Sequence, residues 1–175
     1  MIEPMLNAHN ETTMKSIQWK CSLFSQLDTE QLFDLIKLRI DIFVVEQNCP
    51  YPELDEKDRH HQTLHMLGFN NEQLICCSRL LAPGVSYPDV SIGRFAVAEP
   101  YRNQGIGTEL MSQCLFHIQH HWPEHNIRVS AQQYLCQFYT SFGFTQTSDM
   151  YLEDDIPHIE MLKQAPHDTN IHVNK

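Results

Sequence analysis

The 175-residue chain is 42% hydrophobic and 10% aromatic, enough apolar material for one buried core in one domain. Twelve Lys and Arg against 22 Asp and Glu leave a formal charge of -10 with no basic cluster, so nucleic acid is disfavoured as a partner and a cationic amine is favoured. No apolar run approaches the roughly 18 residues of a membrane span, and the first fifteen residues lack a signal peptide's apolar block, so a cytoplasmic protein without a membrane partner is expected.

Residues 16–163 read as one domain, with the polar stretches 1–15 and 164–175 expected as flexible termini. Ile17, Trp19, Cys21 and Leu23 alternate with polar residues, a strand pattern. Asp28 followed by Gln31 predicts a capping box, and Leu32, Ile36, Ile40 and Phe43 then recur at helical spacing until NCPYPELDEKD breaks the helix. Strands are predicted over 64–69 and 74–81, on either side of a turn, and again over Val90–Val97, which Pro100 stops. A long helix carries Ile106, Leu110, Cys114 and Ile118 on one stripe, widened by Met111 and Leu115, and ends before Pro123. A strand over 127–131, a short helix over 134–142 and strands over 144–151 and 158–162 complete a β-α-β-β-β-α-β-α-β-β order. That order predicts an α/β domain with a mixed sheet and helices on both faces.

The six cysteines form no CxxC pair, and adjacent Cys76 and Cys77 must point to opposite faces of a strand, so reduced thiols are expected. His117 and His121 share a helix face, but no carboxylate or thiolate is placed to complete a zinc site. Two acidic runs, 46–58 and 149–155, read as solvated faces or, more sharply, as a field that attracts cationic amines.

Chemistry concentrates in VAEPYRNQGIGT, residues 97–108, which joins a strand to the long helix. Glycines at 105 and 107 let a ligand approach the backbone, and the unpartnered amides of the first helical turn suit a phosphate. A P-loop would need a Lys after its second Gly, and a dinucleotide fingerprint would need Gly where Leu110 stands, which leaves Arg102-x-x-Gly105-x-Gly107. About thirty residues later, across one strand, comes QFYTSFGF, residues 137–144.

Taken together, this loop and the Phe-Tyr-x-x-x-Gly-Phe stretch make the chain resemble the GNAT superfamily of N-acetyltransferases, over nearly all of 17–162. FVVEQNCPY (43–51), Ile92-Gly93-Arg94 and Ile156-Pro157-His158-Ile159 are similar to its ElaA-type branch. The resemblance implies a single-domain fold with a mostly antiparallel sheet flanked by helices on both faces. It also implies acetyl-CoA as co-substrate, no metal, and a small-molecule or peptide amine as acceptor; homodimers are common in the family.

Carried over by position, the main chain of Phe95, Ala96 and Val97 would line the pantetheine arm. Arg102 and the amides of Asn103, Gln104, Gly105, Ile106, Gly107 and Thr108 would hold the pyrophosphate. Phe138 is counted with the cofactor residues, as is Gln132, which stands where many relatives carry Asn. Tyr139 is expected as general acid for the departing thiolate. Glu46 and His158 are the candidates for taking the amine proton. A catalytically silent coenzyme A-binding module is the alternative.

Overall fold

The computed structural model describes residues 16–166, so most of the two expected flexible termini lies outside it. Of the described tail, the Ala165 amide donates to Asn126 Oδ1 at 3.0 Å. Strand β1 (Gln18–Leu23) leads into helix α1 (Thr29–Arg39). The predicted capping box is there: Asp28 Oδ1 accepts from the Gln31 amide at 2.9 Å, and Gln31 Oε1 accepts from the Asp28 amide at 3.4 Å. The helical path runs on to Glu46, just before the predicted break, but it widens into a π-helical segment over Ile40–Glu46, a form found in short pieces, frequently at functional sites.

Its buried stripe also differs from the predicted one. Leu35, Leu38 and Ile42 are buried, whereas Ile40 is exposed. Apolar residues ring so much of this helix that spacing alone could not select the inward face. Arg39 is only 1% exposed, and periodicity had no way to mark it as inward.

Strands β2 (Leu64–Asn70) and β3 (Gln73–Leu81) form a tight hairpin through Asn71, whose φ of 55° suits Asn. Then follow β4 (Val90–Val97), α2 (Ile106–His121), β5 (Ile127–Gln132) and α3 (Cys136–Ser141). The strand predicted over 144–151 is instead two short ones, β6 (Thr145–Gln146) and β7 (Tyr151–Glu153), both paired with β8 (Ile156–Lys163). Between them the Ser148 hydroxyl accepts from the Glu160 amide at 2.9 Å, replacing a ladder bond. The β7–β8 turn has Asp154 and Asp155 at φ 49° and 63°, the type I′ geometry that matches strand twist.

The sheet order is β1-β2-β3-β4-β5-β8-β6 with β7 beside β8, and every neighbouring pair is antiparallel except β4–β5. Helix α1 covers one face, packing on Leu67, Leu74, Cys77 and Ala96. Helices α2 and α3 cover the other, where Leu110, Met111, Cys114 and Tyr139 meet Met66, Cys76, Val129 and Ala131. Cys76 and Cys77 thus face opposite layers, as strand alternation requires. Burial pushes the Cys77 and Cys114 thiols up to about 12, so both are unreactive structural thiols.

One departure from regularity positions the site. The parallel β4–β5 contact consists of Val90 beside Ile127 and Ser91 beside Arg128 alone. Past Ser91 the strands splay. The ladder between β3 and β4 also shifts register between Cys77 and Arg79: Cys77 faces Ala96 but Arg79 faces Gly93. Two residues of β4, Arg94 and Phe95, therefore oppose Ser78 alone. Such a bulge adds twist and bends its strand, which turns the end of β4 away from β5 and opens a cleft.

Candidate active site

The cleft is walled by main chain on the β4 side. The Ala98 amide donates to the Ile75 carbonyl at 2.8 Å. Because antiparallel pairs alternate, the polar groups of Ala96 also point into β3, while those of Phe95 and Val97 point away from it. Of the three β4 residues named from sequence, only Phe95 and Val97 therefore offer main-chain groups to the cleft. The Val97 carbonyl already accepts from Arg102 Nε at 2.9 Å.

Beyond β4 the chain makes a short turn over Glu99–Tyr101 and enters α2 through two left-handed residues, Asn103 at φ 61° and Gly105 at φ 83°. Gly105 is required by its φ rather than by crowding, since a Cβ there would meet nothing within 4 Å. The first helical bond runs from the Glu109 amide to the Gly105 carbonyl at 3.1 Å, and Gly105 offers no side chain as a cap. Among the described residues the amides of 103–108 consequently have no acceptor. This nest at the positive end of a sixteen-residue helix fits a pyrophosphate. At Gly107 an added Cβ would only graze the Phe138 ring, at 3.9 Å, so α3 packs beside the first turn of α2.

Arg102 is not free beside the nest. Its guanidinium makes a bidentate pair with Glu46, at 2.7 and 2.8 Å. That hydrogen bonding holds the Glu46 carboxyl below the ordinary carboxylate range. A carboxylate tied up this way is a poor proton acceptor, which counts against Glu46 as the base. It does join the end of the π-helical segment to the loop, closing one end of the cleft.

On the opposite wall α3 presents Phe138 and Tyr139. The Phe138 ring lies 5.8 Å from that of Phe95, tying α3 to β4 on the face that α2 and α3 cover. Tyr139 is held edge-on by Phe138 at 5.3 Å and Phe144 at 5.7 Å. Its residue is 5% exposed, and burial, with smaller effects from Cys114 and Tyr134, pushes the phenol well above its usual pKa. Its hydroxyl has no hydrogen-bond partner among the described residues and is not fully sealed from solvent. Such a phenol stays protonated at neutral pH and can donate a hydrogen bond, while its raised pKa makes it a weaker acid.

At the end of β5, Gln132 Nε2 donates to Gln47 Oε1 at 3.3 Å, and Gln132 lies in register with His158 of β8. The His158 Nδ1–H donates to the Ile156 carbonyl at 2.8 Å, which leaves Nε2 as the acceptor nitrogen. The structure thus sets Gly107 beside Phe138, Phe138 beside Phe95 and Tyr139, and Gln132 beside Gln47 and in register with His158. His117 and His121 stack 6.5 Å apart at the far end of α2, and no metal-binding group of three or more His, Cys, Asp or Glu forms among the described residues.

The first acidic run does not create the field read from sequence. Glu46 pairs with Arg102, Glu53 with Arg39 and Arg94, Asp55 with Arg79, Glu56 with Arg59, and Asp58 with Arg39 and Arg79. All five of those arginines lie outside 46–58, so a local count of charges misleads. In the second run Glu153 accepts from the Ser130 hydroxyl at 2.8 Å, and none of Asp149, Glu153, Asp154 and Asp155 forms an ion pair among the described residues. Tyr51 and Arg94 stood out in sequence only as parts of the stretches 43–51 and 92–94, and Glu53 only as one acid of a run; that the three meet could not be read there.

Comparison with known proteins places this geometry. Residues 52–165 match the model of the acetyltransferase (GNAT) domain. ElaA of Escherichia coli is 40% identical over 149 residues, covering 85% of this chain and 97% of that protein. The crystal structure of Escherichia coli ElaA superposes with a TM-score of 0.81, covering 85% of this chain and 100% of that one. An acyl-CoA N-acyltransferase from Pseudomonas aeruginosa superposes equally well, at 0.81 and 38% identity, covering 85% of this chain and 99% of that one. With its splayed β4–β5 cleft, open amide nest and Phe-Tyr-x-x-x-Gly-Phe helix, the chain belongs to the GNAT acyltransferase family, in the branch that contains ElaA.

Proposed function

We propose that the protein moves an acetyl group from acetyl-CoA to a primary amine by direct attack within a ternary complex, with no covalent enzyme intermediate. The observation that supports this most is the approach of the uncapped amides of 103–108, through Gly107 and Phe138, to the protonated phenol of Tyr139. Coenzyme A supplies the activated thioester; the chain supplies position and protons. The amide nest holds the pyrophosphate, the outward groups of Phe95 and Val97 lie along the pantetheine arm, and Phe138 packs beside the nest.

In this reading the amine nitrogen forms a bond to the acyl carbon as the C–S bond breaks. Tyr139 gives its proton to the departing thiolate, and His158 Nε2 takes the amine's proton, directly or through water. Glu46 orients Arg102 rather than acting as base. The acceptor is a small molecule or a peptide amine.

The test is thiol release from acetyl-CoA with a panel of amines. Release should require an amine, climb with pH through the neutral range, and fall in Gly107→Asp, which sets a carboxylate against the pyrophosphate nest. Tight coenzyme A binding with no turnover on any acceptor would instead mark a silent binding module.

A further inference from the structure

We infer that Glu53 is a positioning residue for acyl-CoA: it clamps the β4 bulge at Arg94, and so aims the main chain of Phe95 and Val97 into the cleft. The inference rests on the coenzyme A reading above, but it concerns a residue on a loop that touches neither the amide nest nor Tyr139.

The bulge is a strained feature. Arg94 sits at φ 50°, a left-handed conformation that crowds the Cβ of a non-glycine residue against its backbone. Strain of this kind persists only where the surroundings over-determine it. Two side chains of β3 receive the carbonyls that the bulge releases from the ladder: the Ser78 hydroxyl donates to Gly93 at 3.2 Å and the Cys77 thiol to Arg94 at 3.7 Å. Those bonds satisfy the bulge but do not hold the Arg94 side chain.

Glu53 does. One carboxylate oxygen accepts from Arg94 Nε at 2.8 Å and from Arg39 Nε at 2.5 Å, and the other accepts from the Tyr51 hydroxyl. The Glu53 carbonyl accepts from Arg39 at 2.9 Å and from Arg94 at 3.4 Å. The Tyr51 ring lies 5.5 Å from the Arg94 guanidinium carbon, a cation–π contact. Arg39 is in turn fixed by Asp58 at 2.6 Å, and Asp58 by Arg79 at 2.9 Å. Three guanidiniums (Arg39, Arg79, Arg94) thus meet three carboxylates (Glu53, Asp55, Asp58), a balanced cluster spanning α1, the 51–59 loop, β3 and β4.

Burying that many charges is an inefficient route to stability alone, since apolar packing of equal volume does as well or better. It is an effective way to fix geometry, because each fork admits one arrangement. The residue immediately after the clamped one is Phe95, whose main chain borders the cleft and whose ring meets Phe138.

The test separates the pantetheine arm from the nucleotide. Affinity for coenzyme A and for adenosine 3′-phosphate 5′-diphosphate, which lacks the arm, would be measured by calorimetry on the full chain. Glu53→Gln should weaken coenzyme A by roughly tenfold, the loss of about one main-chain hydrogen bond to the arm, and leave the nucleotide fragment within about twofold. Arg94→Gly, which tolerates the positive φ but removes the tether, should show the same split even if Glu53→Gln fails to fold. Unchanged coenzyme A affinity in the folded variants, or an equal loss for both ligands, would overturn the positioning role. If the wild-type protein binds neither ligand, the coenzyme A reading itself falls and this inference with it.

Discussion

Tyr139 is gripped by aromatic rings on two sides, so deleting its hydroxyl should disturb chemistry more than structure. Tyr139→Phe is expected to lower kcat by about a hundred- to ten-thousandfold, the range of general acid catalysis. Coenzyme A binding should shift by no more than about 1 kcal/mol, the worth of one neutral hydrogen bond. Steady-state rates read beside a calorimetric Kd check it; full kcat, measured where chemistry limits the rate, would strip Tyr139 of its catalytic role. Tyr139 was legible in the sequence because its neighbours in the chain form the signature. Glu46 was not, because its partner Arg102 lies 56 positions away, and pairing turns a candidate base into an anchor. The same blindness applies to Ala96, whose main chain faces β3 for a reason set by hydrogen-bond register rather than by residue type.

Among elements, β2 carries a constraint that motif reading did not detect. A Cβ on Gly68 would lie 2.5 Å from Cys76 Sγ and 2.7 Å from the Trp19 ring, beside a register shift in the β2–β3 ladder. Gly68→Ala should therefore destabilise the fold by about 1–3 kcal/mol through overpacking, seen as a lowered Tm; an unchanged Tm would mean that Trp19 yields freely. The 51–59 loop makes a pH prediction. Burial raises the Asp58 pKa, but the hydrogen bonds and charges of Arg39 and Arg79 outweigh it and hold the group at about 2. Asp58 thus contributes stability above its unfolded value near 4, and that contribution is lost as pH falls from about 4 towards 2. Thermal melts across pH 2–5 should show this loss in the wild type and a flatter profile in Asp58→Asn. At neutral pH the variant should be about 3 kcal/mol less stable, because it leaves buried guanidiniums without their anion. Parallel pH profiles for the two proteins would count against the assignment. Capping boxes, turns and the α2 stripe were readable from local pattern. The inward face of α1 was not, since it depends on which sheet residues it meets.

At the scale of the molecule, the proposed ligand would bridge β4, the start of α2 and α3, three elements joined otherwise by packing. Coenzyme A at about a hundred times its Kd should then raise stability by about 2.7 kcal/mol, a Tm increase of roughly 5–10 °C for a domain of this size. Gly107→Asp should abolish the increase, and a wild-type melt indifferent to coenzyme A would remove the cradle. Composition, periodicity and two motifs determined by themselves that this is one α/β domain with helices on both faces, because those signals live within a few residues of one another. The phosphate-type nest was equally local: a strand, a turn and a glycine-started helix in succession. Only the tertiary structure decided where the strands part, that Arg102 is shared with Glu46, and that an acidic run is an ion-paired clamp rather than an open field. Each of these joins residues distant in sequence, and a charge has no meaning for a ligand until the fold has chosen its partner.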